Sequence, residues 1–232
     1  MEINEQWDLI ASERFEHRMT GKDLSYNEVF LPTIKNYFSR QSTKEVLDFG
    51  CGTGELSFEI SKMGFNVTGI DISKHSIEIA KKNFISENLN FINQALSEIT
   101  FHSKFSIAVA NMSLMDTQDL ISNILQINDK LETGGSFIAI ITHPTFWPIY
   151  WNYTVDENFN YLEECKITKI YKTKTKTFDF KTTHYHRPIS YYIDKFIECN
   201  FRICKLQELK NPNDSEWFPR FLFFELEKTL PS

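Results

Sequence analysis

None of the four cysteines, Cys51, Cys165, Cys199 and Cys204, stands in a CxxC pair, and none has a metal-ligand spacing to a histidine. That excludes a zinc ribbon, a thioredoxin-like redox pair and a disulfide framework, so no metal is expected. No apolar run approaches the ~20 residues that a membrane helix needs. The chain opens MEINEQWDLI, acidic and polar, which is not a secretory signal. A cytoplasmic setting with reduced thiols is expected. A broad basic face is missing too. The formal net charge is −6, and the one basic run, Lys172 to Lys181, alternates with Thr and Phe. Phosphate contacts dominate nucleic-acid affinity, so neither nucleic acid nor a membrane is expected as a partner. The Lys172–Lys181 run reads as a solvated hairpin face. No internal repeat or low-complexity tract is present.

What is present is aromatic: 15% of the chain, 21 Phe among it. Such rings fill a core or wall a pocket for a flat ligand. Residues 5–20 read as an amphipathic helix, with Trp7, Ile10, Ala11, Phe15 and Met19 near helical spacing, and 27–38 as a second helix. From residue 45 onward strands and helices alternate. Strands are expected at 45–49, 66–70, 90–93, 105–110 and 136–142. Helices are expected at 55–63, ending at Gly64, at 73–87, capped by Ser73, and at 119–131. Gly134-Gly135 reads as a turn. This rhythm implies an α/β fold with a mainly parallel, doubly wound sheet. After Pro144 it gives way to two Thr- and Lys-rich strands within 161–182, an inserted hairpin. A helix at 190–199 and strands at 201–209 and 218–227 close the chain.

The segment Val46-Leu47-Asp48-Phe49-Gly50-Cys51-Gly52-Thr53-Gly54 carries the most information. A buried strand runs into a turn where Gly50, Gly52 and Gly54 allow close backbone approach, and a helix N-terminus follows. Asp48 can organise the loop or meet a ligand ammonium through water. Asp71, at the end of the next strand, stands where a carboxylate can accept two ribose hydroxyls.

VLDFGCGTG followed by VTGIDIS resembles the cofactor-binding region of class I S-adenosylmethionine-dependent methyltransferases. The glycines follow that superfamily's GxGxG spacing, not the GxGxxG of dinucleotide enzymes. Ile92-Asn93-Gln94-Ala95-Leu96 is similar to the segment beside adenine, Phe105 to Asp116 to the fourth-strand motif, and Leu131 to Phe137 to the turn before strand five. The likeness spans 45–142. It implies a Rossmann-like, seven-stranded sheet and S-adenosyl-L-methionine as cofactor, leaving S-adenosyl-L-homocysteine. Carried over by position, Asp48, Gly50, Cys51, Gly52, Gly54, Asp71, Ile72, Ala95, Leu96, Asn111 and Met112 would hold that cofactor. Ile72 would pack on adenine and Asn111 would lie near the methionine end. Ala95 departs from the pattern, because an Asp or Asn that bonds the adenine amino group commonly stands there. Gln94 or the Leu96 backbone would have to serve.

His143-Pro144, His186-Arg187-Pro188 and Pro219-Arg220-Phe221-Leu222 resemble motifs of bacterial methyltransferases acting on small molecules. A single domain over 1–232 is expected: a helical lid (1–40), a cofactor core (45–142), a substrate-side insertion (143–188) and a closing helix and strands (189–232). Candidate bases are His186, His143 and His184, with the histidines weighed against simple turn or edge roles. A zinc site at His184/His186 lacks a third ligand. Met115, Asp116, Phe146, Trp147, Trp151, Tyr185 and Arg187 are candidate substrate contacts; the aromatic ones serve equally as anchors of the insertion. Trp7 and Met19 would close the lid or simply pack. The expected activity is methyl transfer to an oxygen or nitrogen of a metabolite, by a monomer or homodimer. The alternatives are an RNA or protein methyltransferase, and a binder without turnover. Asn111 is followed by Met112-Ser113-Leu114, not by the Pro-Pro-Tyr of amino-methylating enzymes.

Overall fold

A computed structural model describes residues 1–155 and 159–230. Positions 156–158 of the expected insertion and the last two residues of the expected closing segment lie outside the described residues. The chain begins with α1 (Ile3–Met19), then a π-helical turn (Tyr26–Phe30) that runs into α2 (Leu31–Phe38). Next come β1 (Glu45–Phe49), α3 (Glu55–Ser61), β2 (Asn66–Asp71), α4 (Lys74–Asn83), β3 (Leu89–Asn93), β4 (Phe105–Asn111), α5 (Leu120–Lys130) and β5 (Leu131–Thr142). After these lie the short α6 (Trp147–Tyr150), β6 (Cys165–Lys172), β7 (Thr177–His186), α7 (Ile189–Glu198), β8 (Phe201–Leu209) and β9 (Phe221–Lys228).

Seven strands form one sheet in the order β3-β2-β1-β4-β5-β9-β8. The first five are parallel; β9 runs antiparallel between β5 and β8. The central strands are apolar on both faces, as strands covered by helices on both sides must be. Alternation then sorts them. Leu47, Ala108 and Phe137 pack on the side of α5 and α7. Val46, Ile107, Val109, Ile138 and Ile140 pack on the side of α2 and α3. β6 and β7 form a separate antiparallel hairpin. No described helix is long and apolar enough to cross a membrane.

Several boundaries differ from the sequence expectation, and three of them bear on the site. β5 begins at Leu131, because Gly134 (φ +75°) and its neighbours bulge within the strand opposite Phe105–Ile107 instead of ending it. α4 stops at Asn83, because Phe84 leaves the helix to stack on Phe58 at 4.9 Å. β7 continues to His186, past the 161–182 span expected for the hairpin strands, and carries the His184/His186 pair on the extended segment expected for it.

The hairpin and α1 together roof the C-terminal end of the parallel strands. Ser73 caps α4 by accepting the Ser76 N–H (3.1 Å), and its hydroxyl donates to Asp8 of α1 (2.6 Å). At the other end of α1, His17 Nε2 bonds the Thr175 hydroxyl (2.8 Å), which also donates to the Lys22 carbonyl (2.7 Å). Lys176 pairs with Glu13. Trp7 meets Tyr171 edge-on at 6.1 Å.

Candidate active site

The tips of β1 and β2 are joined directly. The N–H groups of Gly50 and Cys51 both donate to the Ile70 carbonyl (2.9 and 3.0 Å). The Asp71 carboxylate accepts the N–H of Gly52 on one oxygen and that of Ser73 on the other, each at 2.8 Å. The glycines have left-handed φ values of +70°, +55° and +88° at 50, 52 and 54, conformations costly for other residues. Their surroundings separate their roles. A Cβ on Gly50 would lie 2.5 Å from Ser113 Cβ, and one on Gly54 would lie 2.7 Å from the Phe91 ring and 2.9 Å from Ala80. Gly52 alone faces open space, with Arg14 Nη1 3.7 Å from its added Cβ. Gly54, expected among the ligand-lining residues, is therefore a packing glycine that seats α3 on the sheet; it does not line the cavity.

Beside this loop opens a cavity of about 270 Å³, lined by Asp48, Gly50, Cys51, Gly52, Asp71, Ile72, Ala95, Leu96, Asn111 and Met112. Asp48 is buried and accepts the Ser57 hydroxyl at 2.5 Å. Burial pushes its carboxyl up to about 7, against the pull of that hydrogen bond. Burial raises Asp71 as well, opposed by the Ser73 and Gly52 amides. Two amides use only part of a carboxylate's acceptor capacity, so Asp71 can still take hydroxyl donors. The Asn111 Oδ1 is buried without a hydrogen-bond partner among the described residues. Ile72 is 46% exposed at the mouth, an apolar face with no covering side chain. The Ala95 N–H is taken by Glu98 (3.3 Å), which leaves the Leu96 amide at the head of the next 3₁₀ turn. An open glycine cradle, an orphaned acceptor and a carboxylate with spare lone pairs fit an adenosyl amino acid.

A second cavity, of about 80 Å³, continues from the first. Trp7, Arg14, Arg18, Met112 and Asp116 border both. Met115, Trp147, Trp151 and His184, all expected near a substrate, line the second. Asp116 is half-buried between the two cavities, and burial raises its carboxyl well above the usual range despite nearby Arg14. Burial and the neighbouring His186 lower His184 to about 3, so its imidazole is neutral. Burial alone would disfavour the Arg18 charge, but Glu55 (3.3 Å) and Asp23 (3.2 Å) outweigh it and hold the guanidinium charged.

Arg14, Arg18, Tyr171, Lys172, Thr182 and Arg220 also line this space, and the sequence reading gave none of them a site role. For the arginines a signal existed: Ile3, Trp7, Arg14 and Arg18 follow one helical stripe, and all four face the first cavity. The lysine run is not the solvated face expected of it. Lys172 lines the cavity, Lys174 pairs with Asp214 and Glu216, and Lys176 with Glu13.

Five candidates lie elsewhere. His186 Nε2 bonds the Tyr161 carbonyl (2.9 Å) among Tyr153, Phe159 and Tyr161. His143 sits between Glu208 (3.1 Å) and the Thr145 N–H (3.2 Å). Burial lowers both histidines, against their hydrogen bonds, and neither borders either cavity. They are corrected from candidate bases to buried ties. Tyr185 is buried in β7. Phe146 stacks on Phe218 (5.3 Å), away from the cleft. Arg187 is fully buried, pairs with Glu164 and donates to the carbonyls of Thr117 (2.9 Å) and Gln118 (3.0 Å). It fastens the loop after β4, which carries Asp116, instead of touching a substrate. Among the described residues no group of acidic, His and Cys side chains forms a metal site.

This sheet order, with a glycine cradle and an acidic tip facing one cavity, defines a nucleoside-binding methyltransferase fold. Residues 40–184 match the family described as a methyltransferase domain. A Listeria monocytogenes S-adenosylmethionine-dependent methyltransferase structure aligns with a TM-score of 0.68 at 22% identity, over 84% of this chain and 97% of that one. The Burkholderia thailandensis 1,6-didemethyltoxoflavin-N1-methyltransferase, with 1,6-didemethyltoxoflavin and S-adenosylhomocysteine bound, aligns at 0.62 with 16% identity, over 99% and 92%. A curated Geobacillus sp. (strain WCH70) protein named as a methyltransferase is 52% identical over 42 residues, 18% of this chain and 17% of its own length. The chain belongs to the methyltransferase-domain family, and its fold is that of the S-adenosylmethionine-dependent methyltransferases it aligns with.

Proposed function

We propose that this enzyme methylates an oxygen or nitrogen of a small molecule seated in the second cavity. The observation that carries this reading is the shared border: Met112 and Asp116 line both cavities, so donor and acceptor chambers meet at one wall. S-adenosylmethionine supplies a methyl carbon activated by its sulfonium charge, to which an acceptor lone pair bonds as the carbon–sulfur bond breaks. Asp71 would accept the ribose hydroxyls, Ile72 would cover adenine, and Arg14, beside Gly52, would meet the methionine carboxylate. Asn111 Oδ1 would accept from the methionine ammonium. Asp116 takes the proton released by the acceptor; a buried carboxylate with a raised pKa is a stronger base than an exposed one. The roof of α1 and the hairpin limits the cavity to a small ligand. That a fold relative holds a small heterocycle beside S-adenosylhomocysteine is consistent with this.

The test has two parts. Calorimetric titration with S-adenosylhomocysteine should show binding to the wild type and a loss of about 10- to 100-fold in D71A, the range for hydrogen bonds to a charged group. Methyl-labelled cofactor given with cell extract should then label the low-molecular-weight fraction. Label confined to RNA or protein would replace this reading with a macromolecular acceptor.

A further inference from the structure

We propose that the second cavity takes a flat aromatic acceptor carrying a negatively charged oxygen group, its ring held among Trp147, Trp151 and Tyr171 and its charge met by Lys172. This names the occupant of the acceptor chamber and so rests on the function just proposed.

Shape comes first. The chamber is about 80 Å³, and the rings of Trp7, Phe30, Trp147, Trp151 and Tyr171 form one part of its wall. Trp147 and Trp151 stack at 5.4 Å with planes 30° apart, and Tyr171, also in the lining, is held edge-on against Trp7. Rigid ring faces around a small space select a planar ligand, because π faces pack on one another with little loss of side-chain freedom.

Polarity comes second. Apart from the Asp116 carboxyl, kept for the transferred proton, the buried polar side-chain atoms left without a partner around the chamber are donors or, at His184 Nε2, a nitrogen that donates in one tautomer. Lys172 has no carboxylate within 4.0 Å among the described residues; its Nζ reaches only the Tyr150 carbonyl at 3.5 Å and lies over the Tyr150 ring at 5.3 Å. Trp151 Nε1 is buried without a partner, in a residue only 6% exposed. His184, also 6% exposed, leaves its Nε2 unpartnered in the same wall. Of the other cations, Arg18 is answered by Asp23 and Glu55 and Arg220 by Asp214 at 2.7 Å, while Arg14, which borders both cavities and pairs with no carboxylate among the described residues, is the one assigned above to the methionine carboxylate. Buried donors without acceptors are costly, so the ligand that removes the cost brings oxygen acceptors, and beside an unpaired ammonium it brings them charged. A cationic amine would set like charges together; an aliphatic acid would leave the rings unfilled.

The experiment uses the whole chain saturated with S-adenosylhomocysteine, with 4-hydroxybenzoate, phenol, benzylamine and acetate as probes. Binding is read by tryptophan fluorescence and calorimetry. 4-Hydroxybenzoate should bind at least about tenfold more tightly than phenol, with benzylamine and acetate weaker still. The preference over phenol should fall to about twofold or less in K172Q and persist in K172R, and S-adenosylhomocysteine binding checks that each variant is folded. Equal or tighter binding of phenol or benzylamine, no binding of 4-hydroxybenzoate, or a preference unchanged in K172Q would each overturn the proposal. If S-adenosylhomocysteine binds and label enters small molecules while the probe preference is absent, this inference alone falls. If S-adenosylhomocysteine does not bind, the function proposed above falls with it.

Discussion

Asp116 is the residue on which chemistry turns, and its environment sets a direction that can be measured. Burial raises its carboxyl well above the usual range. Only the ionised form accepts a proton, so turnover should rise with pH through that raised value. D116N should lower turnover by about 100- to 1,000-fold, as loss of a general base does, and flatten the pH profile. A structural role is told apart by the sign of its stability effect. The native state holds this proton at pH values where the unfolded chain has released it, so the wild type loses stability as pH rises above the usual carboxylate range. D116N lacks that loss and should be no less stable than wild type at pH 8, measured by urea unfolding. The glycine loop and Asp71 were legible in the sequence because their meaning is local: a strand end, three glycines and an acid one strand later. Asp116 was legible as a contact by its place after strand four. Its burial was not, because that depends on Trp7, Arg14 and the hairpin, which are distant in the chain.

At the scale of elements, the hairpin was foreseen and its orientation was not. His184 and His186 share one face of β7, with Tyr185 on the other, so alternation does not separate the two histidines. His184 lines the acceptor chamber, while His186 ties to the Tyr161 carbonyl. Residue types alone could not choose between them, since both are histidines two positions apart; the packing of Phe159 and Tyr161 decides. Arg187, next along, joins the hairpin to the loop after β4 through Thr117 and Gln118. It acts on Asp116 by position. R187M should cost about 1–3 kcal/mol of stability, chiefly by leaving the Thr117 and Gln118 carbonyls unanswered, since the part-exposed Glu164 can turn to water. In protein still folded, it should lower kcat more than it weakens S-adenosylhomocysteine binding. Thermal unfolding and steady-state kinetics check the two halves.

Across the whole molecule, α1 and the hairpin cover both chambers with one roof, tied at Asp8 to α4 and at His17 to the hairpin turn. Aromatic contacts of Trp7 with Tyr171 and of Phe15 with Phe84 add to these ties, and because Trp7 and Arg14 of the roof line the cavities, ligand should order it further. Hydrogen exchange in α1 should slow on adding S-adenosylhomocysteine, more than in the central strands; equal protection throughout would argue for a fixed roof. The sheet itself was readable from the alternation of strand and helix up to Thr142. The roof was not, because helical periodicity reads 5–20 as an amphipathic helix without saying what the stripe of Trp7, Arg14 and Arg18 covers.

The placing of β9 between β5 and β8 bears on how this chain is born. β8 pairs only with β9 in this sheet. Until residues 221–228 leave the ribosome, Phe201–Leu209 has no partner in the sheet, and the buried, apolar flank of β5 stands open as an unpaired edge. Such edges recruit other strands. A stalled or shortened product ending before Phe221 would thus carry the cofactor cradle complete in sequence yet expose two sticky flanks, making it a client for chaperones and not a smaller working enzyme.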